Sequence, residues 1–279
     1  MEGLRANRYS EKIQQAKEMF IDLTDMEQVA VLHELIDDTP YKTKNYTKYL
    51  HKEYYIKHNK PQLLEKSIKK YKLEYDDCII KDSDLINVIA NRHTLRDYEN
   101  RKMDYKTFCQ IIHYSFGVKY YGLGAYNQKS YPFKYTNTQG GLNYLDLYIV
   151  VNNVESIEQG LYYYDFINDE LCQLDKGNMR KLINDINFQN EFSVYSNFIC
   201  FIVADMSRVV PKYYKRAYRF SHVDAGILTA YLQIIAEYND VNSCVIAGYL
   251  EHKLEDCLML SPDEYPVLSI CFGYKPEEV

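Results

Sequence analysis

The chain has 279 residues, enough for one large or two small domains with a sizeable core. Hydrophobic residues make up 47% and charged residues 26%, which excludes a disordered chain, and a net charge of −6 without a basic stripe argues against duplex nucleic acid as the partner. The polar start, Met1 to Lys12, has no apolar signal core, and the longest apolar run, Phe198 to Ala204, is far too short to span a bilayer, so the expected compartment is the cytoplasm.

The first eighty residues read as a helical extension. Ile13, Ala16, Met19 and Phe20 follow helical spacing, as do Val29, Leu32, Leu35 and Ile36, with Pro40 and Pro61 as punctuation. Lys57 to Lys72 reads as a helix with Leu63, Leu64 and Ile68 on one side; its basic residues form either a solvated face or a docking surface for an acidic peptide. Asp82-Ser83 is placed to cap a helix through Leu85, Val88 and Ile89. A further helix spans Tyr105 to Phe116 and ends at Gly117. Strand-like runs follow at Leu145 to Val151, Leu161 to Tyr164 and Asn197 to Ala204. A long helix is expected from Ser221 to about Tyr238, with Ser221 and Asp224 as a capping box and Val223, Ile227, Tyr231 and Ile234 as its apolar stripe. Strands at Ser243 to Ala247 and Val267 to Phe272 flank a short helix near His252 to Leu258. This order predicts an α+β fold with helices around a mixed sheet. Residues 1–80 form the helical extension, a candidate docking unit for a peptide or partner, and residues 81–279 form the main domain.

Several chemistries are set aside by spacing. The seven cysteines include no CxxC, their odd count suits a reducing compartment, and most lie in apolar runs as buried thiols. The seven histidines do not cluster with them, so no metal site is expected. No GxGxxG follows a strand, which leaves a Rossmann dinucleotide site unsupported, and no P-loop, HExxH or GxSxG occurs.

Four separated segments carry the remaining chemistry. Arg92-His93-Thr94-Leu95-Arg96 offers two guanidinium forks and a hydroxyl suited to a phosphate, and also fits a charged helix end. Asn137 to Tyr148, NTQGGLNYLDLY, is a turn entering a strand. Lys212-Tyr213-Tyr214-Lys215-Arg216-Ala217-Tyr218-Arg219-Phe220, then Asp224-Ala225-Gly226, is a basic, aromatic helix start. Ile246-Ala247-Gly248, Leu254 to Leu260 and Phe272-Gly273-Tyr274-Lys275 close the chain.

In this order the segments resemble the nitroreductase-like flavoproteins, and within them the SagB-type dehydrogenases that oxidise azoline rings in ribosomal peptides, over roughly residues 84–275. The first resembles R-x-S/T-x-R. The second is similar to P-S-x-G-x-x-x-P-x-E-x-Y, with Asp146 and Tyr148 at the glutamate and tyrosine positions. The third resembles K-Y-G-x-R-x-Y-R-F followed by D/E-A-G-H. Lys44-Asn45-Tyr46 resembles a further K-x-Y element.

The resemblance implies a nitroreductase-like fold, an intertwined homodimer and FMN at its interface. It implies that Arg92, Thr94 and Arg96 hold the FMN phosphate and that Thr138 and Gly140 lie along the flavin. Ala247 and Gly248 take the place of a glycine pair, and Lys275 is either a phosphate ligand or an exposed tail lysine. Lys212 is the implied base and Tyr213 its orienting or relaying partner, with Lys215, Arg216 and Arg219 as charges that would depress the Lys212 pKa. The implied reaction takes two electrons from a thiazoline or oxazoline of a precursor peptide, alongside a cyclodehydratase or other peptide-modifying partner. Running the flavin the other way, on dehydroamino acids or nitro and quinone compounds, is a second reading. Departures from the pattern support a third, a non-catalytic scaffold: Asn137 and Tyr144 at proline positions, Gln139 at a small residue, Tyr214 at glycine and Ile227 at histidine.

Overall fold

The computed structural model describes residues 15–16, 18–19, 61–74, 85–124, 127–187, 190–214 and 216–276. Its elements in chain order are α1 (Pro61–Lys66), β1 (Lys70–Lys72), α2 (Leu85–Asn91), α3 (Tyr105–Phe116), β2 (Val118–Gly122), β3 (Tyr131–Lys134), β4 (Leu145–Val151), β5 (Gly160–Asp165) and β6 (Glu170–Lys176). They continue as α4 (Arg180–Ile186), β7 (Phe198–Asp205), α5 (Met206–Tyr213), α6 (Arg216–Tyr238), β8 (Val241–Ile246), α7 (Glu251–Cys257) and β9 (Glu264–Tyr274).

Seven strands form the main sheet in the order β1-β6-β5-β4-β7-β9-β8, and β2 and β3 form a separate hairpin. The expected sheet was mixed; each strand pair among the described residues is antiparallel, and parallel pairing occurs at the isolated bridges Thr94–Ser243 and Met103–Val154. The connections from β4 to β5 and from β5 to β6 are short enough to reverse direction, which favours antiparallel neighbours there. Both faces of the sheet are covered. Leu145, Leu147, Ile149 and Val151 of β4 join one core with α3 and α6, whereas Tyr148 and Val150 join a second core with α4 and α7. A strand buried on both faces reads as a near-continuous apolar run, as β7 does from Phe198 to Ala204, whereas β4 is interrupted by the buried Asp146.

Several expectations shift in register. Lys70–Lys72 is a strand paired with β6, where a helix to Lys72 was expected, so this part of residues 1–80 belongs to the main sheet. The Val29–Ile36 pattern, Lys44-Asn45-Tyr46 and Asp82-Ser83 lie outside the described residues. Helix α6 begins five residues before Ser221, whose hydroxyl is internal and donates to the Tyr218 carbonyl at 2.7 Å, so Ser221 is no cap. The Val223, Ile227 and Tyr231 stripe faces outward, 47%, 41% and 42% exposed, while Ala225, Leu228 and Leu232 face the core. No helix among the described residues is long and apolar enough to cross a membrane.

Candidate functional site

Helix α5 carries the first group of candidate residues to one end of the sheet. Asp205 at the end of β7 caps it, accepting from the Ser207 amide at 3.0 Å. One turn on, Arg208 donates Nε to Asp205 at 2.8 Å, pairs with the buried Asp146 of β4, and donates to the Asn143 carbonyl at 2.9 Å. These bonds fix α5 against the start of β4, and Lys212, four residues further, falls on the same helix face. Asp146, matched by pattern to a glutamate, is thus an anchor for Arg208 and an acceptor for the Tyr163 hydroxyl at 3.1 Å. Asp146, Asp205 and Glu264 cluster closely enough to hold a metal, but Arg208 already supplies the cation to two of them.

The helix stops at Tyr213 because Tyr214 adopts φ +52°, ψ −144°. That region suits glycine, which explains why the resembled pattern places glycine there.

The loop before β4 packs on this helix end. Thr138 accepts from the Asn143 amide at 3.0 Å, closing a turn in which Gly140 has φ +64°. A Cβ at Gly140 would collide with the Tyr213 hydroxyl and come within 2.8 Å of Lys212 Nζ. Only glycine lets the backbone approach this closely. The Tyr213 ring meets Phe220 edge-on at 5.0 Å, which sets its orientation.

Asp224 of α6 holds the loop from behind. Its Oδ2 accepts from the Gln139 amide at 2.7 Å and the Tyr144 hydroxyl at 2.5 Å. Two departures from the resembled pattern, Gln139 and Tyr144, therefore interlock through one buried carboxylate. Burial pushes the Asp224 carboxyl up, opposed by those hydrogen bonds. Thr138, Gly140 and Lys212 all line a cavity of about 690 Å³ that Tyr231 also borders, a volume within the range of small-molecule sites. Burial, rather than neighbouring cations, lowers the Lys212 amine below the ordinary lysine range. Lys215 lies outside the described residues, and Arg219 is exposed.

The second group lies at the β8 edge. Thr94 bridges Ser243 in parallel, so the Arg92–Arg96 segment runs along β8 as an outer strand fragment. Arg92 is half-buried and Arg96 exposed, its guanidinium 5.6 Å from the Phe192 ring. Arg96 also reaches Cys244, whose thiol is held down to about 7, chiefly by its hydrogen bond with Cys271 and further by Arg96. Ala247 and Gly248 follow β8 and are exposed. Strands β4 and β8 are three positions apart in the sheet, about 14 Å. One chain therefore keeps the arginines apart from the Gly140–Lys212 group.

Lys275 is placed elsewhere again. It follows β9 at the end opposite α5, and its ammonium pairs with Glu237 near the last turn of α6 at 2.7 Å. From Asp224 to Glu237 the helix rises about 20 Å. Pattern reading assigned Thr138 and Gly140 to the cofactor and Lys212 and Tyr213 to catalysis as separate segments, and the fold brings these four residues together. It missed Asp224 as their support, although the Asp224-Ala225-Gly226 signal was visible, and it missed the buried Lys134 on the cavity wall.

Two guanidinia with a hydroxyl on an exposed edge, and a glycine cradle beside a buried amine, are donors that fit a flavin mononucleotide's phosphate and ring respectively.

The nitroreductase family matches this chain over residues 89–274. A protein of Methanocaldococcus jannaschii that bears a nitroreductase name is 19% identical over 198 residues, covering 71% of this chain and 94% of that one. Among solved structures, a protein of Anabaena variabilis described as a nitroreductase superposes with a TM-score of 0.61 at 21% identity; the match covers 75% of this chain and spans 42% of the other. A chain of the E. coli microcin synthetase McbBCD complex, with truncated pro-MccB17 bound, superposes with a TM-score of 0.54 at 14% identity over 80% of this chain and 97% of that one. At these identities the structural likenesses establish the fold alone.

Proposed function

The chain belongs to the nitroreductase family, and on that footing we propose that it is an FMN-dependent dehydrogenase that oxidises thiazoline or oxazoline rings in a ribosomally made peptide. Members of the family are typically FMN-dependent. The observation that carries the reading is the Lys212–Tyr213 pair set against the Gly140 backbone on the cavity wall. The likeness to a chain of the microcin synthetase complex is in keeping with a peptide substrate and with peptide-modifying partners.

In this reading Arg92, Thr94 and Arg96 hold the phosphate, while Thr138, Gly140 and the Ala247–Gly248 backbone border the ring. When bound, FMN would supply the two-electron acceptor of the oxidation, with oxygen or another oxidant as the final sink. Lys212 takes the ring proton on Nζ. Burial keeps that amine nearer neutrality than a surface lysine, so it enters as a base. Tyr213, held by Phe220, orients the ring or relays the proton. Asp224 maintains the loop through Gln139 and Tyr144. The azoline thus gives up a hydride and a proton and becomes aromatic.

A homodimer completes the proposal. The arginine segment and the Gly140–Lys212 group lie apart in one chain, and a second copy would let each group meet its complement across an interface. The outward stripe of Val223, Ile227 and Tyr231 supplies apolar surface for such a contact.

The test is mass spectrometry of a cyclised precursor peptide incubated with the protein and FMN: each ring should lose about 2 Da as two hydrogens leave. The nitroreductase name of the M. jannaschii relative favours the opposite direction as a second reading. NAD(P)H consumption with a nitro or quinone compound, and no mass change on any azoline peptide, would select it.

A further inference from the structure

Lys134 ends β3 with its amine among aromatic rings. The residue is 4% exposed, and Nζ stands 3.3 Å from the Phe116 ring centre and 4.3 Å from that of Phe166. The amine finds no hydrogen-bond partner among the described residues. An amine buried in that way is desolvated with no hydrogen bond to offset the loss of water. Burial holds it well below the ordinary lysine range, with Asp146 pulling it up and Arg208 pushing it down, so the cation–π attraction offsets only part of that loss. The β2–β3 hairpin does not require it: Lys134 pairs with Val118, a position an apolar residue fills as well.

Lys134 is also among the residues that border the cavity holding Gly140 and Lys212. Among the described residues of that lining, Lys119 and Lys212 are the other charged ones and no carboxylate occurs. Tyr131, Phe133 and Tyr135 supply flat apolar walls. A stem of four methylenes gives the amine the reach to leave the Phe116 and Phe166 rings.

We propose that this cavity recognises a planar ligand bearing a carboxylate, with Lys134 delivering its ammonium to that carboxylate when the ligand enters. The proposal rests on the cavity being the substrate side of the site described above. The ring of the ligand lies against Tyr131, Phe133 and Tyr135, and the carboxylate gives the buried amine the partner it lacks. A charge-assisted contact of this kind favours the acid over its neutral amide by about 10- to 150-fold.

Calorimetric titration with 2-naphthoate and 2-naphthamide tests this on wild type, Lys134→Met and Lys134→Arg, each with and without added FMN. On the FMN-loaded wild type the carboxylate should bind at least about tenfold more tightly than the amide. Lys134→Met should bind the two alike and melt at the same or a higher temperature, because an unpartnered amine is replaced by an apolar chain of similar shape. Lys134→Arg should keep the preference. Equal binding by wild type, a preference that survives Lys134→Met, or a Lys134→Met protein that does not fold would each overturn the proposal. Loss of naphthoate binding on FMN addition would overturn it too, since the cavity would then be the cofactor's own. Should FMN fail to bind, the flavin reading falls separately, and the acid-to-amide preference is still read on the protein alone.

Discussion

Lys212 and Lys275 stand near opposite ends of α6, in opposite surroundings. Lys212 is buried on a cavity wall, and desolvation alone sets the direction in which its amine moves. Lys275 is partly exposed and pairs with Glu237 at 2.7 Å. The same side chain is thus prepared for two tasks. Burial moves an amine toward its neutral form, whereas a carboxylate at contact distance makes a structural ion pair. The contrast also bears on phosphate binding: Arg92 and Arg96 remain on an open edge, whereas a phosphate would have to compete with Glu237 for Lys275.

The contrast breaks most visibly at Lys212. Lys212→Ala should lower azoline oxidation by about 10²- to 10⁴-fold while FMN content and dimerisation hold, as read by peptide mass and light scattering. Activity near wild type would remove Lys212 from the chemistry. Arg96→Ala should weaken FMN binding by about 10- to 150-fold with little change in melting temperature, the loss of one charge-assisted phosphate contact. Unchanged affinity in a fluorescence titration would move the phosphate off this edge.

Two smaller effects sharpen the same picture. Tyr214→Gly should raise stability by about 1–3 kcal/mol in denaturant unfolding, because it relieves a non-glycine residue at φ +52°. A destabilised variant would mean that the tyrosine side chain contributes more than its backbone costs. For Lys212, the lowered folded pKa means that the unfolded chain binds the extra proton between that value and 10.5. Stability should therefore climb with pH across that window and be weaker below it, relative to Lys212→Met. The smallest effect belongs to Lys275→Gln, which should change FMN affinity less than about threefold and stability by at most about 1 kcal/mol. A large loss of FMN binding would show that Glu237 releases Lys275 to the cofactor.

Much of this was legible from local pattern. Helix α3 runs from Tyr105 to Phe116 as expected, because Asp104 caps it through the Thr107 amide and the chain extends at Gly117. Strand β4 matches Leu145 to Val151 for a similar reason, an apolar run buried on both faces and interrupted only at Asp146. What escaped depends on partners distant in sequence. Asp224 bonds to residues 85 and 80 positions away, so its motif was readable and its task was not. The stripe of Val223, Ile227 and Tyr231 has helical period but the wrong face, since period alone does not say which side meets the core. Pro211 inside α5 argues against a helix there, and the short α5 forms nonetheless because Asp205, Asp146 and Asn143 all hold Arg208. The β2–β3 hairpin, which supplies Lys134, hides in a tyrosine-rich stretch with scattered glycines.

The most direct test of the central claim is an absorption titration of the purified protein with FMN and, separately, riboflavin. The account predicts a yellow protein that takes up FMN stoichiometrically and binds riboflavin far more weakly, because Arg92, Thr94 and Arg96 answer to the phosphate. A protein that stays colourless after excess FMN and gel filtration would contradict it.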